Sequence, residues 1–419
     1  MNKAINTAIL AAMFTLVIAT SCKKSTEIFE EKSLDFSAQE KEIAKASNEF
    51  TLKAYGLLSN DLKPNENLFY SGVSMSSVLS MTANGAAGNT YEQMYKALNF
   101  DKFSEDQINN YQYKLLTTLP FISNSTKLNI AYGIWHTPDL NILPTFKSTV
   151  TEDYKSRIAV LDYSKADETL KDINGFIGRK TEQMIPEFFP NLPAGMKMLL
   201  VNAIYFKGEW DKKFDKGKTK KDTFYLQAGN TVQTDFMEIT HSFEMATTTS
   251  YQAVKLPYKD KKFEMIIVKP SSNSTLKTLQ EKFTRNEAVQ EMDNQFKDAS
   301  LILSMPKFKF EYEIELNNML QQFGMADAFY NADAFYNVAD FSRMADNKRL
   351  FIDKVRQKAV IDVHEAGSEA ATVTVVEMTY SSISSSVPTR IKYDEPFIFL
   401  LREASSGLIL FMGQYNKPD

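Results

Sequence analysis

Ala44, Phe50, Ala54, Leu57 and Leu58 recur at near-helical spacing, which predicts an amphipathic helix over Glu40–Leu58. Ser74–Asn84 predicts a second helix, packed on most sides, because Val78, Leu79 and Met81 stand among small Ser and Ala residues. Downstream the pattern changes to strand-like runs at Lys127–Trp135, Met198–Phe206, Phe263–Val268 and Leu301–Met305. Glu315–Phe323 reads as a further helix, ended by Gly324. The most informative pattern comes late. From Ser368 onward one parity is Ser368, Ala370, Thr372, Thr374, Val376 and Met378, all small or apolar, while the other carries Glu369 and Glu377 near its ends. That alternation predicts a strand with one buried face. The run then enters Tyr380, Ser381, Ser382, Ile383 and three more serines before Pro388, a composition of exposed loops. One segment thus reads both as a strand and as a loop.

Composition narrows the class. At 419 residues, 43% hydrophobic with 30 Phe and 24% charged, the chain has material for a large core and is not a disordered polymer. No linker rich in Pro, Gly or Ser divides it after residue 40, which predicts a single large domain over 40–419. The net charge of -4 supplies no basic field, and the Lys-rich stretch Lys212–Lys221 is offset by Asp211, Asp215 and Asp222, which argues against nucleic acid as a partner. At the N-terminus Lys3 precedes an apolar run, Ala8–Ala19, followed by Thr20, Ser21 and Cys22, the only cysteine. The run is short for a transmembrane span, and small residues directly before Cys resemble a bacterial lipoprotein signal. The expectation is a signal peptide over 1–21, lipidation at Cys22 and a charged tether over 22–39, with the protein held on an envelope membrane facing an extracytoplasmic space. The hexapeptide ADAFYN occurs twice in tandem, at 326–331 and 332–337, and reads as a surface insertion with a partner-binding patch as the alternative.

Catalytic chemistry is hard to find. No phosphate-binding glycine loop or GxSxG elbow is present, and the three histidines, His136, His241 and His364, lack metal-ligand spacing. The expectation is a protein that is not an enzyme and needs no cofactor or metal. Carboxylate pairs such as Glu30 and Glu31 read as solvated charge.

The segment Glu365-Ala366-Gly367-Ser368-Glu369-Ala370-Ala371-Thr372 closely resembles the hinge of inhibitory serpins. Further blocks carry the same resemblance: Asn67–Met94, with Gly72 where the family usually has Pro; Val201–Phe214; Leu256–Tyr258; Met305–Phe310; Gln357–Ala371; and Asp394–Pro418. The resemblance implies an α+β serpin fold, a single large domain with three β-sheets, about eight to nine helices and an exposed reactive-centre loop at about 365–390. It implies a monomer that inhibits serine endopeptidases, and papain-like cysteine ones as a further class, as a suicide substrate. The cleaved loop would insert into a central sheet and trap the acyl-enzyme. Family-like hinge length places the scissile bond at Ser381–Ser382, with Tyr380–Ser381 as the alternative. The loop suits elastase-, subtilisin- or chymotrypsin-like targets, since no Lys or Arg lies between Ala359 and Thr389. Hinge freedom is expected of Gly367, and Val373, larger than usual, is expected to point outward. Ser71, Ser74 and Asn202 match the family's polar cluster beneath the opening sheet, and Trp210 its aromatic where insertion begins. The family's His in that cluster corresponds to Gln357, which cannot titrate. A non-inhibitory serpin acting as a carrier is the alternative function, and an unrelated surface lipoprotein a more distant one.

Overall fold

The computed structural model describes residues 30–192, 195–227, 229–329, 339–346, 350–368 and 387–418. The first helix spans Ala38–Asn60 and starts at a capping box in which the Ser37 hydroxyl accepts from the Glu40 amide while Glu40 accepts from the Ser37 amide. Packing begins before it: Leu34 and Phe36 are buried, and the Lys32 amide donates to the Phe121 carbonyl. The tether expected up to residue 39 therefore ends earlier, because two apolar side chains in a charged stretch suffice to dock it. The second helix, Gly72–Ala83, is buried at all 12 residues. A Cβ at Gly72 would overlap the Thr51 hydroxyl of the first helix, which accounts for the smallest residue standing at its start.

Among the described residues, two hydrogen-bonded sheets carry the strands. The first has six strands in the order Phe308–Glu315, Arg356–His364, Gly367–Ser368, Met198–Glu209, Thr126–His136 and Arg157–Val160. One face of this central sheet rests on the helix Gly72–Ala83 and the main core. The other is covered by the helix Ala166–Lys180 and the segment after it, where Ile173, Phe176, Ile177, Ile185 and Phe188 pack on Trp135, Leu199 and Val201. The second sheet has nine strands and includes the hairpin Phe397–Glu403 and Ile409–Tyr415, buried at every position. The third sheet expected from the resemblance is continuous with this second one. The cause is the 17-residue strand Thr231–Thr247, which pairs with Lys220–Tyr225 near its start, Lys297–Pro306 along its middle and Tyr251–Pro257 at its end.

The expected helix at Glu315–Phe323 is trimmed to Asn317–Gln322 because Glu315 still pairs with Arg356 in the sheet. Gly324 ends it at φ +93, a conformation that favours glycine. The reading of ADAFYN as a surface insertion is corrected for its first copy: Ala328 is buried, and the Asp327 amide donates to Gln93. The second copy lies outside the described residues.

Candidate functional site: a slot in the central sheet

Met198–Glu209 is fully paired on one side, from Thr126 opposite Gly208 to His136 opposite Met198. Arg356–His364 is likewise paired along its far side with Phe308–Glu315. Toward each other, the two strands carry no ladder of their own. They run in the same direction and are bridged at one end by Gly367–Ser368, which lies antiparallel to both: Gly367 opposite Glu209 and His364, Ser368 opposite Gly208 and Val363. Beyond that bridge the facing edges of the two strands have no partner among the described residues, and an antiparallel strand would match their backbone donors and acceptors.

The bridge is held tightly. Trp210 is 2% exposed; its indole N–H donates to the His364 carbonyl at 2.9 Å and its amide to the Ala366 carbonyl at 3.0 Å. The Phe214 amide donates to the Glu365 carbonyl at 2.9 Å, so the segment 210–214 just after one strand pins the turn. Tyr258 stacks on Trp210 with centroids 4.6 Å apart, and its hydroxyl pairs with that of Ser368 at 2.8 Å. Burial pushes the Tyr258 hydroxyl pKa up, so it stays protonated beside Ser368. Glu365 is buried. Burial alone would raise its carboxyl, but the Thr219 hydroxyl at 2.7 Å and Lys307 at 3.2 Å outweigh that and hold it below the usual range. Gly367 owes its identity here to close approach: a Cβ would overlap the Gly208 carbonyl oxygen, so the two backbones touch where the bridge enters.

Midway along the slot, the polar residues matched to the family come together. The Gln357 side chain accepts from the Ser71 amide at 2.8 Å and donates to the Ser71 carbonyl at 3.0 Å. The Ser71 hydroxyl donates to the Leu410 carbonyl and accepts from the Ser74 amide. The Ser74 hydroxyl donates to the Asn202 side chain, which returns a bond to the Ser74 carbonyl at 2.9 Å. One helix start is thereby tied to both slot strands. Sequence reasoning missed Thr219, Tyr258 and Lys307 as hinge partners, and named His364 only as a histidine without metal-ligand spacing. His364 Nδ1 accepts from the Ala366 amide at 3.2 Å. Outward-facing positions of the slot are not open to solvent throughout, since Leu199, Val201 and Val360 belong to the covered face; Val373, expected to point outward, lies outside the described residues.

Glu369, Ala370, Ala371, Thr372, Tyr380, Ser381, Ser382 and Cys22 lie outside the described residues. The chain on the two sides of 369–386 ends in different sheets: Ser368 in the central one, Thr389–Lys392 parallel to Lys297–Pro306 in the other. Among the described residues no cluster of three or more His, Cys, Asp or Glu is placed to hold a metal.

The family model described as Serpin (serine protease inhibitor) matches residues 45–418. Human Serpin B3 is 31% identical over 372 residues, covering 84% of this chain and 94% of that protein, and human antithrombin-III is 29% identical, covering 90% and 82%. Among solved structures, the thermophilic serpin Tengpin in its native state superposes with a TM-score of 0.80 at 28% identity, covering 93% of this chain and 96% of that one. Human thyroxine-binding globulin, at 24% identity and a TM-score of 0.81, bears on the fold alone. With that family match over nearly all of the folded body and the slot and its bridge at the matching positions, the chain belongs to the serpin family.

Proposed function

We propose that the protein is a suicide-substrate inhibitor of serine endopeptidases, with papain-like cysteine endopeptidases as a further class. A protease attacks at Ser381–Ser382, or at Tyr380–Ser381, and the freed segment from Glu369 onward inserts into the slot and carries the acyl-enzyme with it. The observation that carries this reading is the slot itself: two parallel strands that share no ladder with each other among the described residues and are bridged at one end by the first two residues of the bait segment. Reactive-loop insertion is an established property of serpins and a known instance of strand addition. About ten further residues fit between the bridge and Met198, and at ~1 kcal/mol per net hydrogen bond they release on the order of 10 kcal/mol. Each ~1.4 kcal/mol directed at the deacylation step is a factor of ten in rate.

Target preference follows from the loop's lack of Lys and Arg between Ala359 and Thr389. Arg390 is no bait for a trypsin-like pocket either, since it is built into a strand and ion-paired with Glu238 at 2.7 Å. Elastase- and subtilisin-like proteases rank first, chymotrypsin-like ones second. The signal-like segment ending at Cys22 supports lipid anchorage on a bacterial envelope membrane, facing outward from the cytoplasm.

The test is incubation with a panel of serine and cysteine proteases, with Ser368→Arg alongside. Wild type should form a complex that survives denaturing electrophoresis, be cut within about two residues of Ser381, and melt much higher once cut. Ser368→Arg should be cut and released, because a guanidinium cannot be buried between Gly208 and Val363. Cleavage of wild type with no complex and no gain in melting temperature would favour the carrier alternative.

A further inference from the structure

The chain joins the folded body along one stripe of its surface, formed by the helix Glu105–Thr118 and the turn Leu119–Phe121 that continues it. Tyr113 and Thr117 stand one helical turn apart, with the Thr117 hydroxyl donating to the Tyr113 carbonyl at 2.8 Å. The strap 31–36 lies against this stripe. The Lys32 amide donates to the Phe121 carbonyl at 2.9 Å, the Lys32 ammonium donates to the Thr117 carbonyl at 2.7 Å, and Glu31 pairs with Lys262 at 2.9 Å. Leu34 and Phe36, buried directly after, seal the strap to the body. The place where the chain arrives is therefore fixed by contacts on both sides of Lys32.

The stripe presents two large rings to the outside: Tyr113 is 44% exposed and Phe121 43%. Each has a lysine over it, Lys155 at 4.6 Å from the Tyr113 centroid and Lys32 at 4.9 Å from that of Phe121. Nearby carboxylates are taken up, Glu31 by Lys262 and Glu40 by Lys114. Scattered exposed rings are ordinary on a protein surface. These two are set apart by lying where the chain from Cys22 arrives. A lipid on Cys22 would be nine residues before Glu31, at most ~32 Å away even along a fully extended chain. A compact body of residues 31–419 has a radius of gyration of about 21 Å and is roughly 50 Å across. The link is shorter than the body is wide, so it holds the side on which the strap docks toward the bilayer.

We propose that the stripe Tyr113–Phe121 is the face on which the protein rests against the membrane surface, with both rings at the level of the lipid headgroups and Lys32 and Lys155 on lipid phosphates. The inference rests on the lipid-anchor reading of Cys22 and adds to it which side of the body meets the bilayer. Aromatic rings with an apolar body settle at the boundary between headgroups and acyl chains, and lysines lie along such rings while their ammonium groups stay in the polar layer. Two rings and two lysines bind weakly by themselves. Once an anchor confines the body near the bilayer they need only choose its orientation, because contact is then an event within one tethered molecule. The anchor sets the distance and the stripe sets the face.

The experiment places a fluorescent probe on this face and another far from it. Phe121→Trp marks the stripe. Phe351→Trp marks a ring 36% exposed beside Met198, at the opposite end of the central sheet from Thr126 and the turn before it. The native Trp135 and Trp210 are buried, so the added indole is the one that meets lipid. The processed full chain, isolated from membranes, is reconstituted on vesicles of phosphatidylethanolamine and phosphatidylglycerol, with and without bromine on the acyl chains as a contact quencher. Phe121→Trp should be quenched at least about twice as strongly as Phe351→Trp and should emit at shorter wavelength on vesicles than after detergent release. Equal quenching of the two, or stronger quenching of Phe351→Trp, in protein that floats with the vesicles would overturn the face proposed here and leave the anchor standing. Protein that carries no lipid and does not float with the vesicles would remove the anchor reading and this one with it.

Discussion

At the scale of single residues, the bridge depends on groups whose proton state and size are set by burial. His364 is the clearest case. Its pKa is lowered from 6.5, first by burial, with Lys307 and Lys216 adding to the effect and Asp362 and Glu365 opposing it. A folded-state pKa below the unfolded one means that the neutral ring contributes stability fully above about pH 6.5, and that this contribution is lost as pH falls through the lowered value. Protonation at Nδ1 also removes the acceptor for the Ala366 amide. Thermal melts from pH 7.5 down to 5 should therefore fall more steeply for wild type than for His364→Asn, which cannot titrate; parallel curves would exclude His364 as the cause. The sequence made the hinge legible because a period of two in small residues is a local signal. Its partners were not legible, since Thr219 and Tyr258 lie 146 and 110 residues from the groups they bond and no local pattern marks them.

At the scale of elements, one helix start controls how the two slot strands are held. Ser71 offers its amide and carbonyl to Gln357 while Ser74 binds Asn202, so the helix Gly72–Ala83 acts as a clasp beneath the sheet. Gln357→Leu keeps the volume but leaves a buried amide and carbonyl without partners, at a cost of about 2 kcal/mol. The intact protein should lose that much in urea denaturation with its m-value unchanged; a loss under ~0.5 kcal/mol would mean water or relaxation replaces the bonds. Helical periodicity announced the helix at Glu40–Leu58, and apolar runs announced the strands at Lys127–Trp135 and Met198–Phe206, within a few residues of their observed bounds. Strand order was beyond local reading. Neighbours in the central sheet are drawn from residues 126–136, 157–160, 198–209, 308–315 and 356–368, and only tertiary pairing decides which lies beside which. The slot is a relation between two strands more than 140 residues apart, so no local pattern announces it.

At the scale of the whole molecule, the lipid anchor proposed at Cys22 would set where the proposed inhibition takes place. A lipid on Cys22 would hold the inhibitor where proteases meet the cell, and Cys22→Ala should shift the protein from the membrane fraction to the soluble one; unchanged membrane retention with normal processing would dismiss the anchor. The sheet's outer borders tell a different story from its middle. Phe308–Glu315 forms one border and presents Lys309, Glu311, Glu313 and Glu315, and the other border, Arg157–Val160, is only four residues long. Charged or very short borders resist pairing with foreign chains. The slot is the reverse, two receptive borders facing inward across the width of one strand. A foreign strand that reaches it competes with a segment joined to the entrance by a peptide bond, whose effective concentration is in the millimolar range for a short flexible link. The slot is therefore kept private: any outside strand must be far more abundant, or far better matched, than the strand the chain already holds at the entrance.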